Sequence, residues 1–192
     1  YKYLITYYVK ENTIKSGELD ISPRFINLQY LFCSDNNLKS LIIPDDLINM
    51  RRLDCYSNEL TSLIIPPTLT RLYIITCYDN QLTSLTIPST LTKLQIIDCY
   101  ENQLTSLTIP STLLELHVID CSYNYLESLV IPDTLIKLER FYCHDNELTS
   151  LNIPDTLIRL RKLYCSDNDL NQLNLPSTLI NLEILLCCNC NL

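Results

Sequence analysis

The chain has 192 residues with ten Cys, nine Pro, one Gly and no Ala; 47% of residues are hydrophobic, 19% are charged, and the formal net charge is −8. This excludes a disordered polymer, a collagen helix and, with Gly17 alone, the glycine-rich loops that cradle phosphates. The acidic balance, with no basic block, speaks against nucleic-acid partners and anionic membrane surfaces, and no stretch approaches the ~18 apolar residues of a spanning helix.

The chain opens with YKYLITYYVK, a short apolar run that returns to charge at Lys10 and Glu11, too brief for a signal peptide. It lacks an initiator Met, so a removed leader or a late start is expected. No N-x-[S/T] glycan acceptor occurs despite the many Asn. From Leu28 onward a period of 22 governs: Cys33, Cys55, Cys77, Cys99, Cys121, Cys143, Cys165 and Cys187 keep it. So do Pro44 through Pro176 and Asn36 through Asn168. Extrapolated backward, the period puts Glu11 at a Cys position and Ile14 at an Asn position, while Pro23 arrives one residue late. Residues 1–27, with Tyr1, Tyr3, Tyr7 and Tyr8, therefore read as an atypical N-terminal capping repeat that covers the core at one end. Residues 28–192 read as an array of about seven full repeats and a partial last one.

One unit, Cys99 to Asp120, is CYENQLTSLTIPSTLLELHVID. Around Cys the residues alternate, with Ile97 and Cys99 inward and Asp98 and Tyr100 outward, as in a short strand with one buried face. The chain then turns at Asn, whose side-chain amide can serve backbone groups of its own and neighbouring coils. Leu107-x-Ile109-Pro110 alternates again and predicts a second, shorter extended stretch that ends at Pro. The P-x-T-L-x-x-L spacing predicts turns or 3₁₀ pieces, without long helices. At the end, CCNCNL puts Cys190 at the Asn position with no polar cap behind it. A truncated chain is the preferred explanation; an open edge that self-associates or is covered by a partner is the other.

Rephased, the unit reads L-x-x-L-x-C-x-x-N-x-L, for example Leu160, Leu163, Cys165, Asn168 and Leu170, and so resembles the leucine-rich repeat. The N-x-L-T-S-L-x-I-P-x-T-L stretch is similar to the plant-type pattern with one added residue, to the L-P-x-x-L repeats of bacterial effector ligases, and to repeats of large DNA viruses and amoebae. The resemblance implies an α/β-type but predominantly β solenoid. It would be a right-handed superhelix with a concave parallel sheet of eight or nine strands and convex turns. It further implies a protein partner on the concave face and, by analogy alone, substrate recognition in a ubiquitin-ligase or host-interaction system, although no ligase domain lies in this chain.

On that face the phase places an apolar stripe, Ile74, Ile96 and Val118, beside Tyr56, Tyr78 and Tyr100, with Asp98 and Asp120 between them. Arg140, Tyr142, Lys162 and Tyr164 form a basic-aromatic patch toward the C-terminal side. Such a mixture matches the make-up of interfaces, although strand propensity and repeat duplication generate similar ladders.

The eight in-phase Cys are expected as a buried column of reduced, inert thiols, which points to a reducing, cytoplasmic compartment. Cys187, Cys188 and Cys190 lack a fourth zinc ligand, so no metal is expected, and Cys188 is the expected reactive thiol. No catalytic motif or cofactor fingerprint is present. His117 and His144 fall in different phases and read as surface residues. Asp98 and Asp120 would lie near the carboxylate spacing of a glycosidase, but equivalent environments would not separate acid from base. A protein-binding module is therefore the favoured function; the alternatives are a self-assembling structural solenoid and, behind it, a carbohydrate-active one.

Overall fold

The computed structural model describes residues 3–192. Among these residues thirteen three-residue strands follow one another: β1 (Thr6–Tyr8), β2 (Glu18–Asp20), β3 (Tyr30–Phe32), β4 (Ser40–Ile42), β5 (Arg52–Asp54), β6 (Ile74–Thr76), β7 (Ile96–Asp98), β8 (Val118–Asp120), β9 (Arg140–Tyr142), β10 (Ser150–Asn152), β11 (Lys162–Tyr164), β12 (Gln172–Asn174) and β13 (Ile184–Leu186). Nine of them form one parallel sheet in the order β1-β3-β5-β6-β7-β8-β9-β11-β13. From β3 onward each partner lies 22 residues ahead, as in Tyr30↔Arg52 and Ile74↔Ile96. The L-x-I segments pair on the opposite side as β2 with β4 and β10 with β12, and between them as single bridges at Leu63↔Leu85 and Thr86↔Thr108. The chain is thus a parallel β-solenoid that advances one coil every 22 residues, as the sequence resemblance implies.

The core is a stack of near-identical layers. In the central coil Leu94, Ile97, Cys99, Leu104, Leu107, Ile109 and Leu113 all point inward and are buried. A three-residue strand with one inward side chain cannot bury enough apolar surface alone, so each coil is stable only between its neighbours.

Two side-chain ladders tie the layers. Asn58 Nδ2 donates to the carbonyl oxygens of Cys33 (3.1 Å), Cys55 (2.9 Å) and Tyr56 (3.1 Å), and its Oδ1 accepts from the amide of Leu38 (2.9 Å). Asn80, Asn102, Asn124, Asn146 and Asn168 repeat the arrangement. Each buried amide thereby satisfies backbone groups of two coils at the bend, where regular pairing stops. The second ladder uses the Thr two residues after each in-phase Pro from Pro66 to Pro176. Thr112 Oγ1 donates to Ser89 O (2.6 Å) of the preceding coil, and Thr68, Thr90, Thr134, Thr156 and Thr178 do the same.

Of the turns or 3₁₀ pieces expected on the convex side, the structure has single i→i+3 turns: Leu113 N donates to Pro110 O (3.2 Å) and Leu116 N to Leu113 O (3.1 Å), without continuing. No helix of any kind occurs among the described residues, so the α/β description reduces to strands and turns. The bend itself is not made by Asn alone. The residue before it carries the left-handed torsion: Asp35 (φ 56°), Ser57 (49°), Asp79 (52°), Glu101 (53°), Tyr123 (52°), Asp145 (52°) and Asp167 (54°).

The first coil departs from the expected phase. Thr6 pairs with Tyr30, an offset of 24, while Glu18 pairs with Ser40, an offset of 22. Two extra residues therefore sit in its bend, and Val9 rather than Glu11 stands at the Cys position, donating from its amide to Phe32 O (2.8 Å). Asn12 and Gly17 both adopt positive φ there, at 55° and 72°. Tyr7 meets Phe25 edge-on at 5.6 Å and Tyr8 stacks on Phe32 at 4.6 Å. Of the four tyrosines singled out by sequence, Tyr1 lies outside the described residues.

Candidate partner-binding face

The outward side chains of the nine-stranded sheet fall into three columns, because parallel strands in register put equivalent residues about 4.8 Å apart. Ile74, Ile96, Val118, Arg140 and Lys162 form the first, and Asp98, Asp120, Tyr142 and Tyr164 belong to the second. Tyr56, Tyr78 and Tyr100, two residues further along, begin the third. All twelve residues singled out by sequence lie on this face.

The apolar stripe is not exposed as expected. Ile74, Ile96 and Val118 are half-buried between their neighbours, and only Arg140 of the twelve is exposed. Tyr56 and Tyr78 stack at 4.5 Å and 6°, and Tyr78 and Tyr100 at 4.6 Å and 13°, which is the strand spacing itself. Burial and the flanking Tyr56 and Tyr100 push the Tyr78 phenol up to about 12. The stack stops where Ser122 replaces Tyr. Beyond it Tyr142 and Tyr164 meet edge-on at 4.9 Å.

The second column holds three carboxylates in equivalent positions and very different company. Asp54, buried, is gripped by Arg52, with Nε 2.9 Å from both its oxygens and Nη2 2.9 Å from Oδ2, and accepts from Thr76 Oγ1. Asp120 accepts from the amide of Ser122 (3.1 Å) and from the buried Ser122 hydroxyl. Asp98 Oδ1 is buried with no hydrogen-bond partner. Burial and the nearby Asp120 push the Asp98 carboxyl up to about 7; burial also raises Asp120, against the pull of Ser122 and of His144. The expectation of equivalent environments is therefore wrong. The difference comes from the residue two places on, a hydroxyl at Ser122 and a phenol at Tyr100.

His144 is no ordinary surface residue either. It is half-buried, meets Tyr123 edge-on at 5.3 Å, and its Nδ1 is buried without a partner. His117 Nδ1 lies 2.6 Å from Glu115 O on a different part of the coil, so the two do not converge. Sequence reasoning also passed over an aliphatic row on the flank. Leu114, Ile136, Ile158 and Ile180, each four residues after a Pro, are 51%, 52%, 50% and 83% exposed. The constant offset from Pro was the available signal.

A family model described as a BspA-type leucine-rich repeat region matches residues 5–118 and 99–192, in six copies. The chain belongs to this family. No curated protein matches it at the sequence level. Among solved structures, the functional domain of InlJ from Listeria monocytogenes, which includes a cysteine ladder, is 28% identical over 88% of this chain and 36% of its own, with a TM-score of 0.80. YopM from Yersinia enterocolitica is 28% identical over 98% of this chain and 38% of its own, with a TM-score of 0.78. The PEPR1–AtPEP1 structure is 28% identical over 88% of this chain and 26% of its own, with a TM-score of 0.67. The chain spans about a third of the length of the first two.

This BspA-type chain has a cysteine column of its own. Cys33 through Cys165 are fully buried and unbridged. Burial pushes the thiols of Cys33 and Cys165 up to about 12, and those between them upward as well, so they stay protonated and act as small apolar fillers. Cys187 and Cys190 are half-buried and Cys188 is exposed. Among the described residues no His, Cys, Asp or Glu grouping is placed to hold a metal ion, and no helix is long and apolar enough to cross a membrane.

Proposed function

We propose that the chain is a protein-recognition module that binds its partner on the concave sheet face, with Tyr56, Tyr78, Tyr100, Ile74, Ile96 and Val118 as the apolar contact area. The observation that carries this reading is the tyrosine stack. Three rings held at the strand spacing have lost their rotamer freedom before any partner arrives, so binding them costs little further ordering. Aromatic anchors of this kind dominate interface energetics. Asp98, Asp120, Arg140, Tyr142, Lys162 and Tyr164 supply polar contacts around them. The likeness to InlJ and YopM supports a protein-recognition role; host interaction, with substrate presentation to a ubiquitin ligase as one form of it, is the setting we propose by analogy alone.

The test replaces Tyr78, Ile96 and Tyr100 together by Ser in the intact chain and compares partner capture and thermal unfolding with the parent. These positions face outward, so the variant is expected to fold and to lose captured partners by tenfold or more. Unchanged capture by a folded variant excludes the concave face as the binding surface.

A further inference from the structure

The concave face carries more charge chemistry than the solenoid satisfies internally. Asp54 is fully matched by Arg52. Asp98 has an oxygen with no donor, and Asp120 accepts from Ser122 and feels His144 without an ion pair. Just beyond them Arg140 and Lys162 stand side by side in the first column, Lys162↔Arg140 in register, and neither forms an ion pair among the described residues. The face therefore presents an acidic pair without a cation followed by a basic pair without a carboxylate, with Ile74 and Ile96 beside the acidic pair.

We propose that the concave face receives an extended segment of a protein partner that seats a Lys or Arg over Asp98 and Asp120 and an Asp or Glu between Arg140 and Lys162. The inference rests on the binding reading above and adds the partner's charge pattern to it. Two strand spacings separate the centres of the two pairs, and the columns are two residues apart along the strand. At about 4.8 Å per strand and 3.3 Å per residue the charges are roughly 12 Å apart. An extended partner segment covers that distance in three to four residues, so the expected pattern is a basic residue and an acidic residue at that spacing, with apolar residues on the basic side.

The energetics favour this occupant. A cation meeting the carboxyl pair from the solvent side relieves the mutual repulsion of Asp98 and Asp120 and favours their ionised forms. Tyr78 and Tyr100 flank the seat and provide ring surface against which a guanidinium packs. The groups facing Asp98 are Thr76 on β6 and Tyr78 just after it, Asp120 on β8 and Ser122 just after it, Tyr100 two residues further along its own coil, whose amide donates to the carboxyl, and, two strands away, Asp54. None is a cation. Because the carboxyl titrates near neutrality and a partner cation favours its ionised form, affinity should rise between pH 6 and pH 8.

The experiment pans a random 12-residue display library on the intact chain and measures the enriched peptides, as synthetic probes, against three folded variants. Peptides carrying the basic–acidic pair are expected. Their affinity should fall at least tenfold on the isosteric Asp98→Asn/Asp120→Asn variant and on the Arg140→Ser/Lys162→Ser variant. If enriched peptides lose binding on the Tyr78/Ile96/Tyr100 variant but carry no such pattern and ignore both charge variants, the charge inference fails while the concave-face reading survives. If no enriched peptide responds to any of the three variants, both fail.

Discussion

One residue separates two surfaces of the same strands, and they obey different rules. Inward, seven Cys from Cys33 to Cys165 and the Asn three places after each recur without substitution, all buried and in the same hydrogen-bonded setting. Outward, the adjacent column runs Phe32, Asp54, Thr76, Asp98, Asp120, Tyr142 and Tyr164, with no two neighbours in matching company. The interior repeats because every layer must fit the next at about 4.8 Å. The outer face has no such obligation, so its chemistry is free to differ coil by coil. Uniformity therefore marks what the solenoid needs to stand, and variation marks where a partner can be told from another.

The sharpest way to break this comparison is to disturb one interior rung. Asn102 donates to Cys77 O (3.1 Å), Cys99 O (3.1 Å) and Tyr100 O (3.2 Å). Asn102→Asp keeps the shape, removes both N–H donors and sets a carboxylate against three carbonyl oxygens in a buried site. A loss of about 3–5 kcal/mol is expected, with Asn102→Ala milder at roughly 2–3. Chemical denaturation reads it. A loss below about 1 kcal/mol would mean that the ladder accompanies the stack without holding it.

A smaller effect of opposite sign is expected outside. Asp98 titrates near 7 in the folded chain, against 3.8 when unfolded. Below about pH 4 both states hold the proton and there is no cost. Between pH 4 and 7 only the folded state holds it, so stability falls as pH rises, and above 7 the full cost is present. Asp98→Asn removes that cost. It should stabilise the chain by on the order of 2 kcal/mol at pH 8, with the open face screening the rest, and change little at pH 4. Equal melting shifts at the two pH values would show that Asp98 carries no such penalty.

How much of this was legible follows the same division. Strand phase, the inward Cys and the bridging Asn were readable because three residue types shared one period. The first coil was not: the period was carried backward through a bend that holds two more residues, and Glu11 was put where Val9 stands. The alternation of Tyr7 and Val9 was the local signal against it. The face's columns were also readable, yet the inequality of Asp98 and Asp120 was missed, because phase says which residues are equivalent and says nothing of what each one touches. The deciding letters were present as Asp120-Cys121-Ser122 against Asp98-Cys99-Tyr100.

The smallest predicted effect concerns the bend, where interior and exterior meet. The residue before each Asn holds φ near 50° whatever its type, Asp, Ser, Glu or Tyr. For a residue with a Cβ that conformation costs roughly 1–2 kcal/mol, and the packing of the ladder holds it in place. Glu101→Gly removes the steric cost and adds about 0.5–1 kcal/mol of unfolded-state freedom. The net expectation is a gain of a few tenths to about 1 kcal/mol, measurable as a higher denaturation midpoint with unchanged slope. Glu101→Ala, which keeps the Cβ and drops the carboxylate, should show none of that gain. If both variants gain equally, the relief comes from removing a negative charge from an acidic column, and the bend is not strained by its side chain.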